Sequence, residues 1–118
     1  MRSSRTSFYY AFRGIGCAFR QEHNLWIQAL MAAAAIALGF ILHISSLEWM
    51  IIILVIAGVF ASELFNSAIE SLVDLCSPEF DKKAGRIKDI AAGAVLVTAL
   101  GALAAGLIIF IPKLAALL

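Results

Sequence analysis

Charge is scarce in this chain. Of its 118 residues, 9 are Lys or Arg and 8 are Asp or Glu, so charged residues make up only 14%. Soluble domains carry about 25%. The formal net charge is +1, and no polybasic segment offers the phosphate contacts that nucleic acid requires, so no nucleic-acid partner is expected. Only two prolines occur, and no Pro/Gly linker, repeat or low-complexity stretch divides the chain. One domain over 1–118 is expected. Cys17 and Cys76 lie far apart and make no metal-type spacing, so they read as unpaired thiols. His23 and His43 are isolated and form no ligand cluster. There is no G-x-x-x-x-G-K-[ST] and no Gly-rich loop followed by a strand lysine, which excludes the P-loop and protein-kinase routes to nucleotide binding. Gly14-Ile15-Gly16 is a bare G-x-G within a helical pattern and carries no weight.

Apolar side chains are what the chain has in excess, at 63%. A chain this short cannot enclose that much apolar surface in a water-soluble core. The remaining solvent for it is lipid. The first apolar run starts near Asn24 and lasts about 20 residues, too long for the apolar region of a signal peptide, and no small-residue cleavage site closes it.

Residues 1–6, with Arg2 and Arg5, read as a loose tail. Residues 7–20 read as an amphipathic helix. Phe8, Phe12, Ile15 and Phe19 share one helical face, while Tyr10, Arg13, Cys17 and Arg20 fall roughly opposite. Aromatics backed by arginines suit a helix lying in the headgroup plane. Residues 25–44 contain no charge and have the length, about 20 residues, that crosses a bilayer core. A second helix is expected over 47–75. Its uncharged stretch, 49–62, is too short to span, so the span must take in Glu63 and reach Asn66. Residues 77–85 form a charged connector. A third spanning helix is expected over 86–111, with Pro112 marking its end. Within it Gly101 with Ala105, and Ala102 with Gly106, are small-xxx-small pairs that permit close helix approach. The expected fold is an all-α integral membrane protein, with three transmembrane helices plus an N-terminal interfacial helix.

The basic residues orient it. Arg2, Arg5, Arg13 and Arg20 precede the first span, and Lys82, Lys83, Arg86 and Lys88 lie between the second and third. The loop between the first two spans has no Lys or Arg. The first two groups therefore face the cytoplasm.

That topology gathers polar residues on one side of the membrane. Glu22 opens the first span. Glu63, Asn66, Ser67, Glu70 and Asp74 fall within an arc of about 100° on the second helix. Lys88 and Asp89 open the third. For Asp74 a plain alternative is a solvated extension of the helix. For Glu63 and Glu70 that alternative is weak, because ionisable groups at membrane depth are costly and usually functional. Stacked carboxylates repel, and a divalent cation relieves the repulsion. One or two carboxylates plus phosphate oxygens is the ligand set Mg²⁺ prefers. A non-enzymatic membrane subunit, or an ion relay built on these carboxylates, is the competing class. A transporter would more often show internal repeats and broken midplane helices.

The run Glu63-Leu-Phe-Asn66-Ser67-Ala-Ile-Glu70-Ser-Leu-Val-Asp74, followed by Gly85-Arg86-Ile-Lys88-Asp89, resembles the bacterial diacylglycerol kinase and undecaprenol kinase family. The pattern E-x-x-N-[ST]-[SA]-[IV]-E-x-x-V-D, then G-R-x-K-D, is long and specific. Tyr10-Ala-Phe-Arg-Gly14 and the region ending in Glu22 also match, so the resemblance covers nearly the whole chain. It implies a homotrimer that phosphorylates a membrane lipid hydroxyl with ATP and Mg²⁺. It implies Glu63 as catalytic base, Glu22 and Glu70 as metal ligands meeting the nucleotide phosphates, and Asn66, Lys88 and Asp89 as catalytic or nucleotide contacts. Tyr10, Glu79 and Asp81 fall where the family contacts nucleotide. It also implies a bacterial inner-membrane protein with its N-terminus and active site cytoplasmic. One departure is Ser3, where some members have arginine; Arg2 and Arg5 flank it. Glu22-His23-Asn24 resembles the undecaprenol kinase branch more than the diacylglycerol kinase branch.

Overall fold

The computed structural model describes residues 3–118, which form four α-helices; no strand occurs among them. The first, α1, spans Ser4–Gln21. It starts earlier than the amphipathic pattern indicates, because Ser3 caps it: the Ser3 Oγ accepts the Thr6 N–H at 3.3 Å and so satisfies one of the orphan donors of the first turn. The expected loose tail over 1–6 is thus helical from Ser4; Arg2 lies outside the described residues. Phe8 and Phe12 remain exposed on the apolar stripe, as befits a helix resting on lipid. Phe19, at the end of that stripe, turns inward against Trp26, with ring centroids 5.0 Å apart and edge-on, and its backbone carbonyl accepts the Trp26 indole N–H at 2.9 Å.

A single residue, Glu22, joins α1 to α2, which spans His23–Ile41. Its extended backbone breaks the helix there. The helix ends three residues short of the expected 44, in a turn where His43 adopts φ 52°. Gly39 explains how α2 closes on its neighbour at this end. A Cβ on it would stand 2.8 Å from the Trp49 ring. Leu42 and Ile44 then pack with Ile52, Ile109 and Phe110 into the main buried cluster.

The third helix, α3, spans Ser46–Cys76. Ser45 and Glu48 form a reciprocal capping box: the Ser45 N–H donates to Glu48 Oε1 at 2.9 Å and the Glu48 N–H donates to Ser45 Oγ at 3.2 Å. The fourth, α4, spans Lys82–Ala116. It begins four residues before the expected 86, because Asp81 caps it through the Lys83 N–H at 2.7 Å. It also runs through Pro112 instead of stopping there. Proline removes one backbone bond, to the Ile108 carbonyl. The helix nevertheless continues to Ala116, and Lys113, the next residue, is ion-paired to Glu48 of α3 at 3.2 Å.

α2, α3 and α4 are each long and apolar enough to cross a membrane, so this is a multi-pass membrane protein. α3 and α4 lie against each other along their length, and α2 packs on α3. Midway, the Ser62 and Thr98 hydroxyls meet at 2.8 Å across the α3–α4 seam. One of the two hydroxyls donates across the seam and the other to its own helix, where the Val59 carbonyl lies 2.9 Å from Ser62 Oγ and the Val95 carbonyl 2.9 Å from Thr98 Oγ1. The small-residue pairs on α4 do not form a close crossing within the chain: a Cβ on Gly101 or Gly106 would meet nothing within 4 Å. Between α2 and α4, with α3 as its floor, runs an open apolar groove of about 470 Å³.

Candidate functional site

Glu63 is the centre of the polar cluster. At 1% exposure it is, with Leu25, one of the two largest fully buried side chains. It lies 17 residues into α3, about 26 Å along the helix from Ser46. Asp74, 28 residues in, stands about 42 Å along and so farther from that end than a hydrocarbon core of about 30 Å reaches. A carboxylate at the depth of Glu63 needs partners. The side chains of Asn24 and Gln28, one turn apart on α2, approach it, and the carboxylates of Glu22 and Glu70 lie close enough to act on it electrostatically. Asn66, one turn along α3, donates from Nδ2 to Glu70 Oε1 at 3.3 Å.

Three buried polar atoms around this cluster have no hydrogen-bond partner: Gln28 Oε1, Asn66 Oδ1 and Ser67 Oγ. Asn66 and Ser67 are each 8% exposed. Buried oxygens left unpaired cost about 1–3 kcal/mol each. Together with the carboxylates they form a set of hard oxygen donors. Among the described residues no three His, Cys, Asp or Glu side chains stand together as a metal cage. Glu22 and Glu70 with the Asn66 amide fit a different case, a hard cation that draws its other ligands from water and phosphate.

Lys88, Asp89, Asp81, Glu79 and Tyr10 are the remaining sequence-derived candidates. Lys88, half-buried on α4, is ion-paired to Asp74 at 2.5 Å. Asp89 is exposed beside it. Asp81 is exposed and caps α4, and Glu79 is exposed with its backbone carbonyl accepting from Ser77 Oγ at 3.2 Å. Tyr10 sits on α1, edge-on to Tyr9 with centroids 5.2 Å apart. The chain therefore presents a buried carboxylate cluster between α2 and α3 and, at the adjoining ends of α3 and α4, a charged shelf. Asn24 and Gln28 are the site residues that the carboxylate pattern alone does not supply. Their signal is present in the sequence: Gln28 and His43 are the conspicuous polar side chains of the first span, and Gln28 stands at i+4 from Asn24.

A family model described as prokaryotic diacylglycerol kinase matches residues 9–110. The undecaprenol kinase of Bacillus subtilis is 46% identical over 108 residues, covering 92% of this chain and 88% of the relative. A diacylglycerol kinase of Synechocystis is 34% identical over 113 residues, covering 95% of this chain and 65% of the relative. The Escherichia coli K12 diacylglycerol kinase is 27% identical over 88 residues, covering 75% of this chain and 72% of the relative.

Proposed function

The chain belongs to the prokaryotic diacylglycerol kinase family, and from that premise we propose that it transfers the γ-phosphoryl group of ATP to the hydroxyl of a membrane lipid, with undecaprenol as the acceptor. The observation that carries the reading is Glu63: a carboxylate buried inside a spanning helix, with orphaned polar atoms beside it and approached by Gln28, which lines one end of the apolar groove.

Phosphoryl transfer needs alignment and charge neutralisation more than covalent help from the protein. Glu63 accepts the proton of the lipid hydroxyl as its oxygen bonds to the γ-phosphorus and the bond from that phosphorus to the β–γ bridging oxygen breaks. The burial of Glu63 keeps competing water from the attacking position. Glu22 and Glu70 are the residues that would hold Mg²⁺, and Asn66 orients Glu70. When bound, the ion supplies positive charge to the β- and γ-phosphates. Lys88 brings a further cation to the phosphates from the shelf, with Asp89, Tyr10, Glu79 and Asp81 as nucleotide contacts around it.

The undecaprenol assignment rests on Glu22-His23-Asn24 and on the higher identity to the relative of that name. Diacylglycerol is the second reading, favoured by the relatives that carry that name. The same reading makes the protein a homotrimer of the bacterial inner membrane, with the site on the cytoplasmic side. The positive-inside bias supports the orientation. The open space at Gly101 leaves α4 room for a neighbouring helix.

The test is transfer of labelled γ-phosphate from Mg·ATP by purified protein in mixed micelles, with undecaprenol and diacylglycerol offered separately. Faster product from undecaprenol is the expected result. The reverse preference moves the substrate to diacylglycerol. Transfer to neither, with no binding of Mg·ATP, returns the chain to the non-enzymatic class.

A further inference from the structure

One side chain closes the corner between α1 and α2. Glu22, the residue at the corner, has extended backbone. Its own N–H still donates to the Ala18 carbonyl at 2.8 Å, so the break leaves the carbonyls after Ala18 as the orphan acceptors of α1. Trp26 takes the first of them: its indole N–H donates to the Phe19 carbonyl at 2.9 Å. The bond spans seven positions of sequence, and Glu22 lies inside the closed stretch, between Phe19 and Trp26. The Trp26 ring also stands edge-on to the Phe19 ring, with centroids 5.0 Å apart, and the Phe19 ring lies 6.3 Å from that of Phe60 on α3. Phe60 is one turn before Glu63. The corner is thus clamped on both sides of Glu22 and tied to the helix that carries Glu63.

Trp26 takes no part in the polar cluster itself. It stands midway in sequence between Asn24 and Gln28, roughly opposite them around α2, and so faces away from the side that those two turn to Glu63. A tryptophan is common at a membrane surface. That role needs the ring in the headgroup layer and no particular carbonyl. Here the carbonyl is in the last turn of α1, next to the point where the chain bends. The geometry points to Trp26 as a positioning residue: by capping α1 at Phe19 it fixes the bend at Glu22, and so sets where the Glu22 carboxylate stands relative to Glu63 and Glu70. The inference rests on the reading of Glu22 as a metal ligand and adds what holds that ligand in place. Groups that hold a metal ligand in its orientation raise the affinity of the site. Without the cap, α1 turns about the extended residue and the carboxylate turns with it.

The experiment measures Mn²⁺ bound by the purified protein in mixed micelles with the non-hydrolysable analogue β,γ-methylene-ATP, read by electron paramagnetic resonance. Mn²⁺ favours the same oxygen ligands as Mg²⁺, and the readout needs no turnover. Trp26→Phe keeps an apolar ring against Phe19 and loses the N–H. Trp26→Gln loses the ring and keeps an N–H donor at similar reach. Mn²⁺ affinity is expected to fall about three- to tenfold in Trp26→Phe, the factor that one hydrogen bond supplies, and to stay within about twofold of wild type in Trp26→Gln. The thermal midpoint is expected to run in the opposite order, Trp26→Phe above Trp26→Gln, because the ring carries the packing. Glu22→Gln is expected to weaken Mn²⁺ binding by itself, and Trp26→Phe to add nothing further in that background. Unchanged affinity in Trp26→Phe, an affinity order that follows the thermal order, or a further loss on top of Glu22→Gln would each overturn the assignment and leave Trp26 a plain interfacial anchor. Unchanged Mn²⁺ binding in Glu22→Gln would instead remove Glu22 as a ligand and the inference with it, and that result is read first.

Discussion

Lys88 on α4 is ion-paired to Asp74 on α3, with Nζ 2.5 Å from Oδ1. The pair joins the charged ends of two helices whose apolar parts already pack together. It holds the lysine amine at the charged ends of α3 and α4, where the proposed function needs a cation for the phosphates. The side chains are 37% and 65% exposed. Such a pair contributes at most about 1 kcal/mol to stability. Its value lies in where it keeps a cation.

Lys88→Ala is therefore expected to leave the unfolding midpoint nearly unchanged while lowering kcat/KM for nucleotide tenfold or more. Asp74→Asn is expected to lose less, because the lysine keeps its charge. Parallel nucleotide titrations of the two variants check the order. An Asp74 variant more damaged than the Lys88 variant would contradict it.

The Ser62–Thr98 contact fixes the rotation of α4 against the face that carries Glu63. Interhelical hydrogen bonds in membranes average about 0.6 kcal/mol. A double-mutant cycle with Ser62→Ala and Thr98→Val, read by unfolding in mixed micelles, is expected to give a coupling of about 0.5–1 kcal/mol. Additive single effects would show that the two hydroxyls serve only their own helices.

Two glycines are expected to differ in sign. At Gly39 an added methyl meets the Trp49 ring at 2.8 Å, so Gly39→Ala is expected to destabilise by about 1–3 kcal/mol. At Gly101 the space is open, so Gly101→Ala is expected to be neutral or to stabilise by up to about 1 kcal/mol through helix propensity. Melting of both variants under one detergent condition checks the contrast. Loss of stability at Gly101 would reveal a neighbouring helix seated there.

Cys17 and Cys76 are both free and exposed. The proposed orientation places both on the cytoplasmic side. A membrane-impermeant maleimide is expected to label them in inside-out vesicles and to spare them in intact spheroplasts. Labelling of either cysteine from outside would overturn the orientation.

Much of the architecture is legible in the sequence, for a physical reason. In lipid, backbone groups must be satisfied within each segment, so a charge-free run of sufficient length has to be a helix. The ends are harder, because caps decide them. Ser45-Ser46-Leu47-Glu48 carries the capping-box spacing in plain view, and Asp81 two residues before Lys83 carries another cap. Ser3 extends α1 in the same way. Pro112 misleads because the usual stop rule comes from soluble helices, whereas spanning helices tolerate proline. Within the site, the stripe from Glu63 to Glu70 follows from helical spacing. The approach of Asn24 and Gln28 does not, because it depends on how α2 leans on α3 after the single-residue break at Glu22. The groove has the same origin and is invisible in any one helix.

Glu63 as the base that activates a lipid hydroxyl is the centre of the account, and Glu63→Gln tests it most directly. The substitution keeps shape and polarity and removes the charge. Binding of Mg·ATP and transfer of labelled γ-phosphate to lipid are measured on the same preparation. The account predicts nucleotide affinity within about threefold of wild type and a loss of turnover of 10²-fold or more, in the range expected for removing a general base. Turnover near the wild-type value would contradict it.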